Sequence, residues 1–140
     1  MSEIKVDTLT GKTSAGDVTI TSEGGAVTMQ LQQGVAKNWI NFTGTSTVTT
    51  NDSLNASSVT DSGTGLYIPS ITNAMSNANY SYNYMLQRAA TNDVIFVTQK
   101  QSVNPTTTTY NTRTFHVDHD TAPTGEDADI VCCAIHGDLA

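Results

Sequence analysis

Apolar and polar residues alternate with a period of two along most of this chain, the pattern of a strand with one buried face. Glu3-Ile4-Lys5-Val6-Asp7-Thr8-Leu9 sets Ile4, Val6 and Thr8 against Glu3, Lys5, Asp7 and Leu9. After a turn over 11–16, Asp17-Val18-Thr19-Ile20-Thr21 alternates again; Gly24-Gly25 breaks the chain and Ala26 to Gln32 predicts a third short strand. From Gly34 onward the runs are richer and turns recur at short intervals. Strands are predicted near 36–43, 46–50, 53–60, 66–71, 79–87, 94–102, 110–118 and 128–136. Asp61-Ser62-Gly63-Thr64-Gly65 reads as a hairpin loop, Asn104-Pro105 as a break, and Pro123-Thr124-Gly125 as the loop before the last strand.

These elements divide the chain into an extended β arm, residues 1–33, and an antiparallel β-sandwich of jelly-roll or immunoglobulin-like size, residues 34–140. The arm carries about one apolar stripe per ribbon, too little to outweigh the backbone entropy of folding alone. It must bury that stripe against its own sandwich, sister copies or a larger assembly. Two strands inform on the core. Tyr80, Tyr82, Tyr84 and Leu86 share one face of 79–87, predicted to turn inward, while Ser81, Asn83 and Gln87 share the other. Ile130-Val131-Cys132-Cys133-Ala134-Ile135 is apolar on both faces, and Val94-Ile95-Phe96-Val97 has the same character. One face of a strand in a lone sandwich meets water, so a second apolar face predicts a further contact, most simply another subunit.

Composition agrees with the all-β reading. Thr, Ser and Asn supply 47 of 140 residues, whereas charged residues are only 14%. Thr and Val are stiff at χ1 and suit a pleated surface rather than a helix bundle. The net charge is −7, and the last 23 residues hold six acids and no Lys or Arg. That sign disfavours a phosphate backbone and an anionic membrane surface, so neither nucleic acid nor membrane insertion is expected. The start of the chain lacks the apolar centre of a signal peptide, and the run 130–135 is far too short to span a bilayer. A soluble protein made in a cytoplasm is expected. Cys132 and Cys133 are adjacent, point to opposite faces of a strand and read as two small buried hydrophobes rather than a disulfide.

Candidate chemistry is sparse. His116-Val117-Asp118-His119-Asp120 is the one cluster of ligand-type side chains, with His116, Asp118 and Asp120 on one strand face. Such a set can hold Ca²⁺, Zn²⁺ or Mn²⁺, but no second ligand group accompanies it, and a solvated edge is the plainer reading. Glu126, Asp127 and Asp129 read likewise as solvated loop charges, with a Ca²⁺ rim as the alternative. There is no Gly-x-Ser-x-Gly elbow and no phosphate loop before a helix. Asp118 and Asp120 alone would have to supply a carboxylate pair for glycoside cleavage. No catalytic residue, cofactor or resident metal is predicted, and the chain is not expected to be an enzyme. Sequons at Asn41, Asn51, Asn55 and Asn79 are about as many as this composition produces by chance.

Two segments carry a resemblance. Ser2-Glu3-Ile4-Lys5-Val6-Asp7-Thr8-Leu9-Thr10-Gly11-Lys12-Thr13, followed by Gly16-Asp17-Val18-Thr19-Ile20, resembles the start of many tail-fibre proteins of tailed bacteriophages. The second begins Ala36-Lys37-Asn38-Trp39-Ile40-Asn41-Phe42-Thr43-Gly44-Thr45 and continues with Asp52-Ser53-Leu54-Asn55-Ala56-Ser57-Ser58-Val59-Thr60-Asp61, Gly63-Thr64-Gly65, Ala74-Met75 and Ala78-Asn79-Tyr80. It resembles the head domain at the C-termini of phage fibre proteins; together the two resemblances span most of residues 1–85 and, more loosely, Ala128 to Gly137.

The resemblance implies a virion protein assembled in the host cytoplasm: a short, homotrimeric tail fibre whose residues 1–33 dock onto other virion proteins (a tail adaptor, nozzle or capsid). Its sandwich head would meet a host surface glycan or protein. Typical fibres have a long shaft between these parts, whereas here Gln33-Gly34 joins them directly. A capsid fibre or decoration protein is the nearest alternative. The motif residues read as structural, with Trp39, Phe42 and Tyr80 as core anchors. A separate expectation, from another class, is a carbohydrate-binding sandwich that uses Tyr80, Tyr82 and Tyr84 as a stacking platform, with Ca²⁺ near Asp118 and Asp120.

Overall fold

The computed structural model describes residues 3–14, 18–21, 24–25, 27–88, 94–100, 103–117 and 122–140, together with the backbone but not the side chain of Val94. The chain divides into two compact units, Met1–Val35 and Ala36–Ala140.

In the first unit, β1 (Thr19–Thr21) pairs antiparallel with β2 (Thr28–Gln30), Ile20 opposite Met29. Gly25, at φ 68°, supplies the left-handed residue between them. A single helical turn, α1 (Leu31–Gly34), follows directly, anchored where Leu31 N–H donates to the Val18 carbonyl at 2.7 Å. Two predictions are corrected here. The strand expected over 26–32 ends at Gln30, because Leu31 turns back toward β1. Residues 3–9 are not in a ladder. Ile4 stays 86% exposed and Leu9 63%.

The second unit is all-β. β3 (Asn38–Thr43), β4 (Thr49–Leu54), β7 (Ser81–Gln87) and β11 (Ile130–His136) form one antiparallel sheet in the order β4-β3-β11-β7. β5 (Ala56–Asp61), β6 (Leu66–Ile71), β8 (Val94–Thr98), β9 (Thr112–Val117) and the two-residue β10 (Thr124–Gly125) form the other. β9 lies along β8 on one side and shares its other side between β6 and β10. The chain changes sheet at Asn55, whose φ of 55° suits a short polar side chain. Its Nδ2 donates to the carbonyls of Lys37 (2.9 Å) and Asn73 (3.1 Å), and its Oδ1 accepts from Asn73 N–H (2.7 Å).

The core lies between the sheets. Ile40 and Phe42 on β3 and Val131, Cys133 and Ile135 on β11 face Tyr67 and Ile71 on β6, with Tyr110 beside them. Phe42 meets Tyr67 edge-on at 5.1 Å, a favoured aromatic geometry. The tyrosine face of β7 turns inward as predicted: Tyr82 stacks on Tyr84 at 5.6 Å, and the Tyr80 hydroxyl donates to the Thr106 carbonyl at 2.7 Å. Trp39 corrects its prediction. It is three residues from Phe42, an odd spacing that places the two on opposite faces of one strand, and Trp39 sits on the outer face of the sheet. Its place inside is taken by Asn38, which is fully buried. Asn38 Nδ2 donates to the Leu54 and Asn55 carbonyls and its Oδ1 accepts from the Tyr110 hydroxyl at 2.9 Å, so the amide is satisfied.

The loop of the β5–β6 hairpin matches its prediction. Asp61 Oδ1 accepts from Gly63 N–H at 2.9 Å, and Gly63 and Gly65 have φ of 123° and 67°. A Cβ on Gly65 would collide with the Thr114 carbonyl oxygen, so only glycine fits. Gly65 N–H and the Tyr67 hydroxyl both donate to Asp127 Oδ1, at 2.7 and 2.9 Å. Glu126 pairs with Arg88. Glu126, Asp127 and Asp129 are thus half-buried, and for the first two the reading as solvated loop charges is replaced by structural pairing that ties the β10–β11 loop to the hairpin.

Candidate functional site

The register builds two rows of side chains across the outer face of the β4-β3-β11-β7 sheet. Leu54, Trp39, Ala134 and Asn83 form one row; Asp52, Asn41, Cys132 and Met85 form the next. Small residues on β11 leave a trough between the taller Trp39 and Met85. The result is an open groove of about 530 Å³, floored by the backbone of Ile40, Cys133 and Tyr84. Met85 is 72% exposed and Leu54 48%. This is the second apolar face predicted for the closing strand.

Polar groups occupy the β4 side. Asn41 Nδ2 donates to Cys132 Sγ at 3.2 Å and its Oδ1 accepts from Asn51 Nδ2 at 2.8 Å. The register shift between Asn41 and Phe42 is what brings Asn51 round to that position. Cys132 is therefore a half-exposed thiol in the groove, not a buried hydrophobe, whereas Cys133 behind it is buried and its thiol is pushed up to about 12 by desolvation. Both cysteines are free.

The other sheet has a smaller apolar surface. Phe96 stacks on Phe115 at 5.7 Å, and the Arg113 guanidinium lies over the Phe115 ring at 5.6 Å. Ile95 packs on the core while Phe96 is exposed, so 95–97 has apolar residues on both faces, as its sequence predicts.

Of the predicted metal candidates, His116 is half-buried and shares the inward-facing side of β9 with Thr112 and Thr114. Asp118 and Asp120 lie outside the described residues. Among the described residues no group of three or more His, Cys, Asp or Glu is placed to hold a metal ion. Tyr80, Tyr82 and Tyr84 face the core, and burial raises the pKa of each. They form part of the interior rather than a stacking platform. The site that sequence reasoning missed is centred on Trp39. The odd spacing from Phe42 was its available signal.

No protein-family model, curated protein or solved structure matches the chain. Among the described residues, no helix is long and apolar enough to cross a membrane.

Proposed function

We propose that this chain is a bacteriophage virion structural protein, a short trimeric fibre. In this reading residues 1–33 attach to other virion proteins and the sandwich meets the host surface or decorates the particle. The observation that carries the reading is the quantity of apolar surface left in water. Ile4, Val6, Leu9, Val27 and Met29 are all more than half exposed in the first unit, and the groove of Trp39, Met85, Cys132 and Ala134 lies open on the second. Contiguous apolar surface of this kind marks a contact face. Depletion of charge around Trp and Met is the composition of an interface core.

A three-fold assembly covers the groove by packing one sandwich against the next. Multiple copies then let individually weak host contacts combine, so no deep single-copy pocket is needed. The two sequence resemblances, in their order along the chain, supply the virion context.

Light scattering on the purified chain tests the assembly. The expected mass is about three times the 14.9 kDa of one chain. Met85→Lys is expected to dissociate it without changing the thermal midpoint of the sandwich, because Met85 is exposed. Gold-labelled antibody on intact phage particles tests the location. Label at the tail supports the fibre, label over the shell supports the decoration alternative, and unlabelled particles overturn both.

A further inference from the structure

β7 is an edge strand. Its seven residues pair with β11 on one side, and among the described residues its other side has no strand partner. It carries no charge, no proline and no bulge, the devices that normally keep an edge from pairing. β8, the edge of the other sheet, is equally unguarded, but the remaining long edges differ. β4 carries Asp52 and a register shift against β3, and β5 carries Asp61 and a register shift against β6. The inner face of β7 is also incompletely covered. Tyr82, Tyr84 and Leu86 are half-buried, whereas Ile40, Phe42, Val131 and Ile135 on the two inner strands are at most 1% exposed.

Residues 3–9 have the complementary pattern. They are outside any ladder, equal β7 in length, and carry Ile4, Val6 and Thr8 on one face with Glu3, Lys5, Asp7 and Leu9 on the other. We infer that residues 3–9 of a second copy of this chain add as a strand to the free edge of β7. Ile4 and Val6 then turn inward beside Tyr82, Tyr84 and Leu86 and close the seam, while Glu3, Lys5, Asp7 and Leu9 lie on the outer face beside Asn83 and Met85, at the rim of the groove. Main-chain hydrogen bonds supply affinity and the alternate side chains supply register. In a ring each copy gives one arm and receives another, a head-to-tail contact that closes at three. This rests on the assembly proposed above and leaves the β1–β2 hairpin, with Ile20 and Met29, for the particle.

Hydrogen exchange on the full chain tests the inference. Across a dilution series, peptides covering 3–9 and 81–87 are expected to exchange at least ten-fold more slowly in the associated state than in the dilute chain. Val6→Pro removes an N–H in a segment without a ladder of its own, and is expected to return both peptides to the dilute rate with near-ultraviolet circular dichroism unchanged. Protection independent of concentration places the arm on its own copy and overturns the inference. So does protection of 3–9 without 81–87. A trimer that persists in Val6→Pro with 81–87 still protected overturns strand addition while the assembly reading stands. A chain monomeric throughout overturns strand addition and the trimer, and the virion reading is then decided by particle labelling alone.

Discussion

Tyr110→Phe isolates one buried hydrogen bond. Tyr110 and Asn38 are both fully buried, and the tyrosine hydroxyl donates to Asn38 Oδ1 at 2.9 Å across the two sheets. The Asn38 amide nitrogen is already committed to the Leu54 and Asn55 carbonyls, so the side chain cannot flip to compensate. Removing the hydroxyl leaves the phenyl ring in place and a carbonyl oxygen buried without a donor. The cost of such an orphaned acceptor is about 1–3 kcal/mol. With an m-value of about 1–2 kcal/mol/M for a unit of this size, the urea midpoint is expected to fall by about 0.5–3 M at unchanged m. Equilibrium unfolding followed by tryptophan fluorescence measures this, since Trp39 directly follows Asn38 on β3. A midpoint within about 0.3 M of the parent would refute the reasoning, because it would mean that water or a rotated amide replaces the lost donor.

Three other outcomes follow from described contacts. Gly65→Ala is expected to cost about 2–4 kcal/mol in the same unfolding experiment, from positive φ and a Cβ against the Thr114 carbonyl; a loss below about 1 kcal/mol would contradict it. Ellman titration of the folded chain is expected to modify Cys132 rapidly and Cys133 only on unfolding, since one thiol lines the groove and the other is buried; equal rates would count against the placement. Burial raises the Cys133 thiol from 9.0 to about 12 and holds the hydroxyls of Tyr67, Tyr82, Tyr84 and Tyr110 above their usual 10.0. The folded chain therefore keeps protons that the unfolded chain releases, so stability is intact below pH 9 and falls as pH climbs from there toward 12. Thermal midpoints across that range check this, and tyrosinate absorbance appearing without loss of fold would speak against it.

Much of the fold was legible because period-two alternation is local. β6 lies where it was predicted, and β11 falls within the predicted 128–136. The tyrosine face of β7 and the Asp61–Gly65 turn also follow from side-chain direction and glycine alone. What was illegible depends on partners distant in sequence. The division of strands between two sheets, the two-residue β10, and the tie from Asp127 to Gly65 and Tyr67 need contacts about sixty residues away. The corner at Asn55 shifted β4 and β5 by several residues from their predicted bounds, because one left-handed residue there separates two strands that hydrophobicity does not. Trp39 was misplaced for a different reason: its size suggested the interior, while its spacing from Phe42 already placed it outside.

The β5–β6 hairpin joins two glycines at positive φ with opposite surroundings. Gly63 meets nothing within 4 Å of an added Cβ, whereas Gly65, two residues on, is pressed against β9 and the Glu126 backbone. The tip is accordingly the place to graft a foreign epitope. A peptide spliced in at Ser62–Gly63 projects into solvent from a rigid mount, while the same splice at Gly65 pulls apart the tie that holds both sheets at that end.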